Sequence, residues 1–144
     1  NKMKIKKFYL KDIKSVKLFK NTINKSTLSV INDFDIGFKI KRVFTVSSGT
    51  NEERGDHAHY KCSQFLYCVQ GSIEVELYDG IKKKKIKLDN NSKGILIPPT
   101  IWSKQIYKNK NSVLIVCCDI YYNENEYIND IHKFENLKSK WILL

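Results

Sequence analysis

Apolar and polar residues alternate with a period of two over much of the chain. Ile73-Glu74-Val75-Glu76-Leu77-Tyr78 is the clearest case, and Phe38-Lys39-Ile40-Lys41-Arg42-Val43-Phe44-Thr45-Val46 is another. Successive side chains of a strand point to opposite faces, so this spacing predicts strands with one buried face. Strands are predicted over 5–10, 28–31, 38–46, 57–60, 64–69, 73–78, 94–98, 102–107 and 112–118. Ser112-Val113-Leu114-Ile115-Val116-Cys117-Cys118 is the most apolar run and reads as a central strand. Asp79-Gly80 marks a hairpin turn. Its return strand carries Lys82-Lys83-Lys84-Lys85 and continues through Ile86-Lys87-Leu88, a solvated edge that discourages sheet-to-sheet association. Residues 12–25 are polar and weakly patterned, and 47–53 form a turn-rich loop around Gly49. Only 123–138 shows helical spacing, with Tyr127, Ile128, Ile131, Phe134 and Leu137 as its apolar positions. Many short strands and one short C-terminal helix predict an all-β sandwich or barrel. No repeat or linker divides residues 1–144, so one domain is expected.

Composition adds few constraints. Apolar residues make up 42% and charged residues 28%, which is enough apolar material for a core. No apolar run is long enough to span a bilayer, and no secretory signal is visible, so a cytoplasmic protein without membrane contact is expected. The formal charge of +11 favours an anionic partner. The lysines are scattered, and no helix-turn-helix or zinc-finger pattern accompanies them. That favours a small anionic ligand over nucleic acid. Cys62, Cys68, Cys117 and Cys118 form no Cys-x-x-Cys and read as reduced, mostly core thiols.

The candidate chemistry gathers at Arg54-Gly55-Asp56-His57-Ala58-His59. On a strand, His57 and His59 project into one space. Gln64 and Gly71 follow, and a second stretch runs Gly94-Ile95-Leu96-Ile97-Pro98-Pro99-Thr100-Ile101-Trp102. No histidine follows on that second stretch, and His132 reads as a surface residue of the C-terminal helix. Two imidazoles and a neutral amide make a poor divalent-metal site. No metal and no cofactor are therefore expected, and imidazole is left to act as acid and base.

His-x-His, a polar residue, a glycine and the later Gly-Pro stretch resemble the cupin signatures, which implies a double-stranded β-helix, or jelly-roll barrel. The resemblance narrows further. Lys41-Arg42-Val43-Phe44, Arg54-Gly55-Asp56-His57-Ala58-His59, Gln64, Gly71-Ser72, Gly94…Pro98…Trp102 and Tyr122-Asn123-Glu124-Asn125-Glu126-Tyr127-Ile128 are similar to the nucleotide-sugar 3,4-ketoisomerases. That family implies a metal-free homodimer moving a keto group from C4 to C3 of dTDP-4-keto-6-deoxyglucose, for 3-amino-3,6-dideoxy sugars of surface glycans. The N-terminal strand could cross to the partner's sheet. Relatives often carry Tyr-Tyr where this chain has Phe44-Thr45, and His where it has Ser103, which shifts the acid–base load onto His57 and His59.

The expected site follows. His57 is the favoured base on carbon, and His59 orients it or shuttles protons. Arg54, Arg42 and Gln64 stabilise the enediolate or bind diphosphate. Phe44, Trp102 and Tyr121 stack on thymine or sugar, and Lys61 completes the substrate-binding set. Plainer roles stand beside these. Arg42 could pair with Glu74 or Glu76, Trp102 could be core, and Gln64 could anchor an imidazole tautomer. The rival functions are a cupin nucleotide-sugar 3,5-epimerase with a Tyr acid opposite its His, a metal-dependent cupin, and a non-catalytic sugar-binding cupin.

Overall fold

A computed structural model describes residues 5–139. Among these residues, twelve strands and two α-helices occur in the order β1 (Lys14–Val16), β2 (Phe19–Ile23), β3 (Ser26–Val30), α1 (Asp33–Ile36), β4 (Arg42–Ser48), β5 (Glu52–His59), β6 (Gln64–Gln70), β7 (Ser72–Tyr78), β8 (Lys83–Asp89), β9 (Gly94–Ile97), β10 (Trp102–Tyr107), β11 (Ser112–Cys118), β12 (Tyr127–Ile128) and α2 (Ile131–Ser139). One sheet has the order β1-β9-β6-β11-β4, and a second runs β12-β5-β10-β7-β8. All pairings are antiparallel, and β2–β3 stand apart as a hairpin. The all-β, cupin-like architecture with a C-terminal helix is the one expected.

Inward side chains of the two sheets meet in one core. Leu66, Cys68, Ile95, Ile97, Leu114 and Val116 come from the first sheet, and Ile73, Val75, Leu77, Leu88 and Tyr107 from the second. The period-two pattern of β7 matches its burial, with Ile73, Val75 and Leu77 inside and the glutamates between them outside. β11 is paired on both sides, as its apolar run predicts. The chain changes sheets at Gly71, between β6 and β7. Its φ of +80° suits glycine, and a Cβ there would lie 2.4 Å from Ser112 Oγ. At the predicted hairpin, the Asp79 carboxylate accepts hydrogen bonds from the backbone N–H groups of Ile81 (2.8 Å) and Lys82 (2.7 Å). β8 is the exposed sheet edge that its lysine run implies.

Several elements differ from the sequence reading. Residues 5–10 form no strand. Their backbone groups bond to side chains instead: Phe8 N donates to Thr100 Oγ1 (2.8 Å) and Leu10 N to Asp79 Oδ2 (2.9 Å). Lys138 Nζ, buried under this segment, donates to the Phe8 carbonyl and to Thr100 O at 2.8 Å. The polar stretch 12–25 contains β1 and β2, because Lys14–Val16 finds the free edge of β9. Residues 38–41 are not strand, and pairing begins at Arg42. Tyr127 and Ile128, expected on the helix, form β12 opposite His59 and Ala58. The helix starts later, where Asp130 Oδ1 accepts from the N–H of His132 at 2.8 Å. All four cysteines are free and buried. Among the described residues, no helix is long and apolar enough to cross a membrane.

Candidate active site

The site is built on an irregularity in β5. Its partner β10 pairs Ser103 with His57 and Lys104 with Gly55, which leaves Asp56 unpaired as a bulge. Gly55 and Asp56 both have positive φ, +84° and +65°. A side chain at Gly55 would strike Gln105 Oε1 at 2.8 Å and the Ser103 carbonyl at 3.0 Å, so this position needs glycine. One extra residue in a strand exchanges faces beyond it. The bulge therefore puts Arg54 and His57, three apart, on the same inward face. It turns Asp56 outward, where its carboxylate accepts a 2.9 Å hydrogen bond from Trp102 Nε1.

A cavity of about 420 Å³ opens at this end of the barrel. Its polar wall is Arg42, Arg54, His57, Gln64, Gln105 and Tyr127, and Phe44, Leu66, Leu114 and Val116 form the apolar wall. That volume falls in the range of small-molecule sites. The His57 and His59 rings meet edge to face with centroids 5.1 Å apart. Tyr127 packs on both, at 4.9 Å from His57 and 4.6 Å from His59. Arg42 Nη1 donates to Tyr127 Oη at 3.2 Å, and its guanidinium lies over the Phe44 ring at 4.7 Å.

The two imidazoles have different environments. Burial lowers the pKa of His57 below its usual 6.5, against a hydrogen bond to the Gly55 backbone and the charge of Asp56. A neutral imidazole carries one N–H and leaves its other nitrogen as an acceptor. His59 is only 6% exposed, and among the described residues neither of its ring nitrogens has a hydrogen-bond partner. Its pKa is pushed down to about 3 by burial, with His57 and Arg42 adding to the effect. Both rings are thus neutral at neutral pH, so His57 can accept a proton. Gln64 Nε2 donates to Cys118 Sγ at 3.6 Å rather than to an imidazole. Among the described residues, no group of three or more His, Cys, Asp or Glu is placed to hold a metal ion.

His57, Arg42, Arg54, Gln64 and Phe44 are brought to one cavity, with His59 just behind it. Arg42 pairs with neither Glu74 nor Glu76, which face outward and pair with lysines. Trp102, Lys61 and Tyr121 do not line the cavity. The Trp102 ring lies on the outer face of the sheet, 5.6 Å from Phe134. Lys61 is exposed, with its backbone N–H bound to the Glu126 carboxylate, and Tyr121 is an exposed ring near Lys41. Sequence reasoning missed Gln105, Tyr127 and the bulge. The Gly55-Asp56 pair is the available signal for the bulge, and the Tyr122–Ile128 stretch that carries the family resemblance is the available signal for Tyr127, whose helical spacing pointed away from the cavity.

A family described as FdtA: WxcM-like, C-terminal matches residues 9–139. The chain belongs to this FdtA/WxcM-like 3,4-ketoisomerase family. It is similar to the TDP-4-oxo-6-deoxy-alpha-D-glucose-3,4-oxoisomerase of Aneurinibacillus thermoaerophilus, at 34% identity over 125 residues, 85% of this chain and 90% of that protein. A mutant of the 3,4-ketoisomerase QdtA from Thermoanaerobacterium thermosaccharolyticum, solved in complex with TDP-4-keto-6-deoxyglucose, superposes with a TM-score of 0.87 at 28% identity, covering 94% of this chain and 100% of that one. WlaRA, a TDP-fucose-3,4-ketoisomerase from Campylobacter jejuni, has a TM-score of 0.82 at 32% identity, with 91% and 98% covered. Membership of the FdtA family covers the whole barrel, including every residue that lines the cavity.

Proposed function

We propose that this chain converts dTDP-4-keto-6-deoxyglucose to a dTDP-3-keto-6-deoxyhexose through an enediol. The reading rests on family membership and on one observation above all. His57 stands in the cavity wall beside Arg54, and burial keeps its imidazole neutral and able to accept a proton. His57 takes the proton from C3. Arg42 and Arg54 stabilise the negative charge that develops on oxygen, and one of them meets the diphosphate. Gln64 and Gln105 supply neutral hydrogen bonds, and Phe44 packs on the sugar face. His59, neutral and buried behind His57, holds the ring stack in place. The 3-keto product is the form a C3 aminotransferase consumes, which supports a role in cytoplasmic synthesis of 3-amino-3,6-dideoxy sugars. A homodimer is part of the proposal. Phe19, Ile23 and Leu28 on the β2–β3 hairpin are exposed apolar side chains that a second copy would cover.

The test is turnover of dTDP-4-keto-6-deoxyglucose in deuterated water, coupled to a C3 aminotransferase, with and without chelator. Transamination with label confined to C3 and C4 is expected, unchanged by chelator. A tyrosine beside the candidate base also suits a 3,5-epimerase, and Tyr127 gives that second reading its one specific support. Deuterium at C5 without a transaminable product would replace the first reading with the second. Light scattering tests the dimer.

A further inference from the structure

Moving a ketone between adjacent carbons transfers two kinds of proton. One travels from C3 to C4, and one travels between the two oxygens. An imidazole in contact with carbon handles the first, and the second needs a group that can both give and take a proton on the oxygen side. Among the described cavity-lining residues, Tyr127 is the one phenol. Its place is set by structure rather than by chain proximity. β12 pairs it with His59, and Ile128 beside it packs with Phe134 of the following helix, Trp102 and Ala58. Both imidazole rings touch its ring, at 4.9 and 4.6 Å. Its oxygen accepts from Arg42 Nη1 at 3.2 Å. A phenol has one hydrogen and two acceptor positions, so a guanidinium on the oxygen leaves the O–H hydrogen free for a ligand.

Resting on the isomerase reading above, we propose that Tyr127 is a catalytic residue that carries the proton between the two substrate oxygens, with Arg42 as the residue that positions it. The steps balance without any co-reactant. His57 takes the C3 proton, a C3=C4 double bond forms, and the carbonyl electrons pass to O4. Tyr127 gives its proton to O4 and becomes a phenolate beside the Arg42 guanidinium. The phenolate then takes the O3 proton, the O3 electrons form the C3 carbonyl, and the double-bond pair takes the proton back from His57 at C4. The result is a C3 ketone, a C4 hydroxyl, and both residues restored. The base and the oxygen-side carrier thus lie edge to face, within one ring's contact of each other, as a planar enediol requires.

Tyr127→Phe keeps the ring and its contacts and removes only the phenol oxygen. The expected result is a fall in kcat of about 10²-fold or more with KM little changed. Exchange of the substrate's C3 hydrogen with deuterated solvent, which needs only His57, is expected to persist. That split separates a proton carrier from a packing residue. Turnover within threefold of the parent would overturn the proposal. So would loss of turnover and exchange together in a folded variant, because Tyr127 would then act only by placing His57. If Phe destabilises the protein, a fluorotyrosine at position 127 keeps the fold and acidifies the phenol. It must move the pH profile of kcat, and an unmoved profile overturns the assignment. If the unsubstituted protein shows neither turnover nor exchange, the isomerase reading fails instead, which is a distinct outcome.

Discussion

One sheet, β12-β5-β10-β7-β8, presents two polar faces that behave in opposite ways. On the outer face, Glu53, Glu74, Glu76, Lys85, Lys104 and Lys108 form a ladder with N–O distances of 3.4 to 4.0 Å. Lys85 there is 69% exposed. On the inner face, Arg54, His57 and Gln105 look into a cavity from the same strands. Neighbours in sequence divide between the two, as Lys104 and Gln105 do. Charges on the outer face are paired in water, where each pair contributes about 0–1 kcal/mol. Groups on the inner face are few: His57 and Gln105 are half-buried, His59 is buried without a hydrogen-bond partner among the described residues, and Arg54 is exposed. The two faces therefore differ in whether their polar groups are engaged with one another in salt bridges or turned toward a cavity.

The largest break in that comparison comes from His57. His57→Gln should lower turnover of dTDP-4-keto-6-deoxyglucose by about 10²–10⁴-fold, the range for a lost general base. Glu74→Gln on the outer face should leave it within twofold, and equal losses in the two variants would defeat the distinction. Next is the backbone that separates the faces. Gly55→Ala has to hold alanine at φ +84° against Gln105 and Ser103. It should cost about 1–3 kcal/mol in denaturant unfolding. It should also cut activity, because the bulge aims both Arg54 and His57. Full activity with unchanged stability would show that the bulge does not place the site.

The pH dependence of stability sharpens the same contrast. A histidine titrates near 6.5 in the unfolded chain, whereas His59 titrates near 3 in the fold. Between those values the unfolded state binds the extra proton. The contribution is thus intact above pH 6.5 and declines as pH falls toward 3, by up to about 1.4 kcal/mol per pH unit. Urea melts at pH 7, 6, 5 and 4 measure it, and His59→Phe should flatten that part of the slope. An identical slope in the variant would mean that His59 is protonated in the fold. The smallest effect belongs to the outer ladder. Lys85→Ala should change stability by under about 1 kcal/mol, and any loss should fade at high salt.

Much of this molecule was legible as pattern. β6, β7, β9 and β11 were readable because each is a period-two or continuous apolar run, and β8 because it returns from the Asp79-Gly80 turn. His57, Gln64, Arg42 and Arg54 were readable as a site because their types and order match a family motif. Trp102 shows the limit. Alternation alone does not say which of two faces is the cavity, and the indole went to the outer face with Phe134. Residues 5–10 show another limit. Their amides bond to Thr100 and Asp79, about 70 to 90 positions away, and no local pattern encodes that.

The sequence by itself determined the class of fold, the apolar core, the pair of imidazoles and the family, because each of these depends on residue type and short spacing. Tertiary structure alone decided that a bulge at Asp56 turns Arg54 inward and that Tyr127 sits against both imidazoles under Arg42. It also decided that His59 is buried with no hydrogen-bond partner among the described residues. These are properties of register and burial, set by strands that meet only after the chain has folded around them.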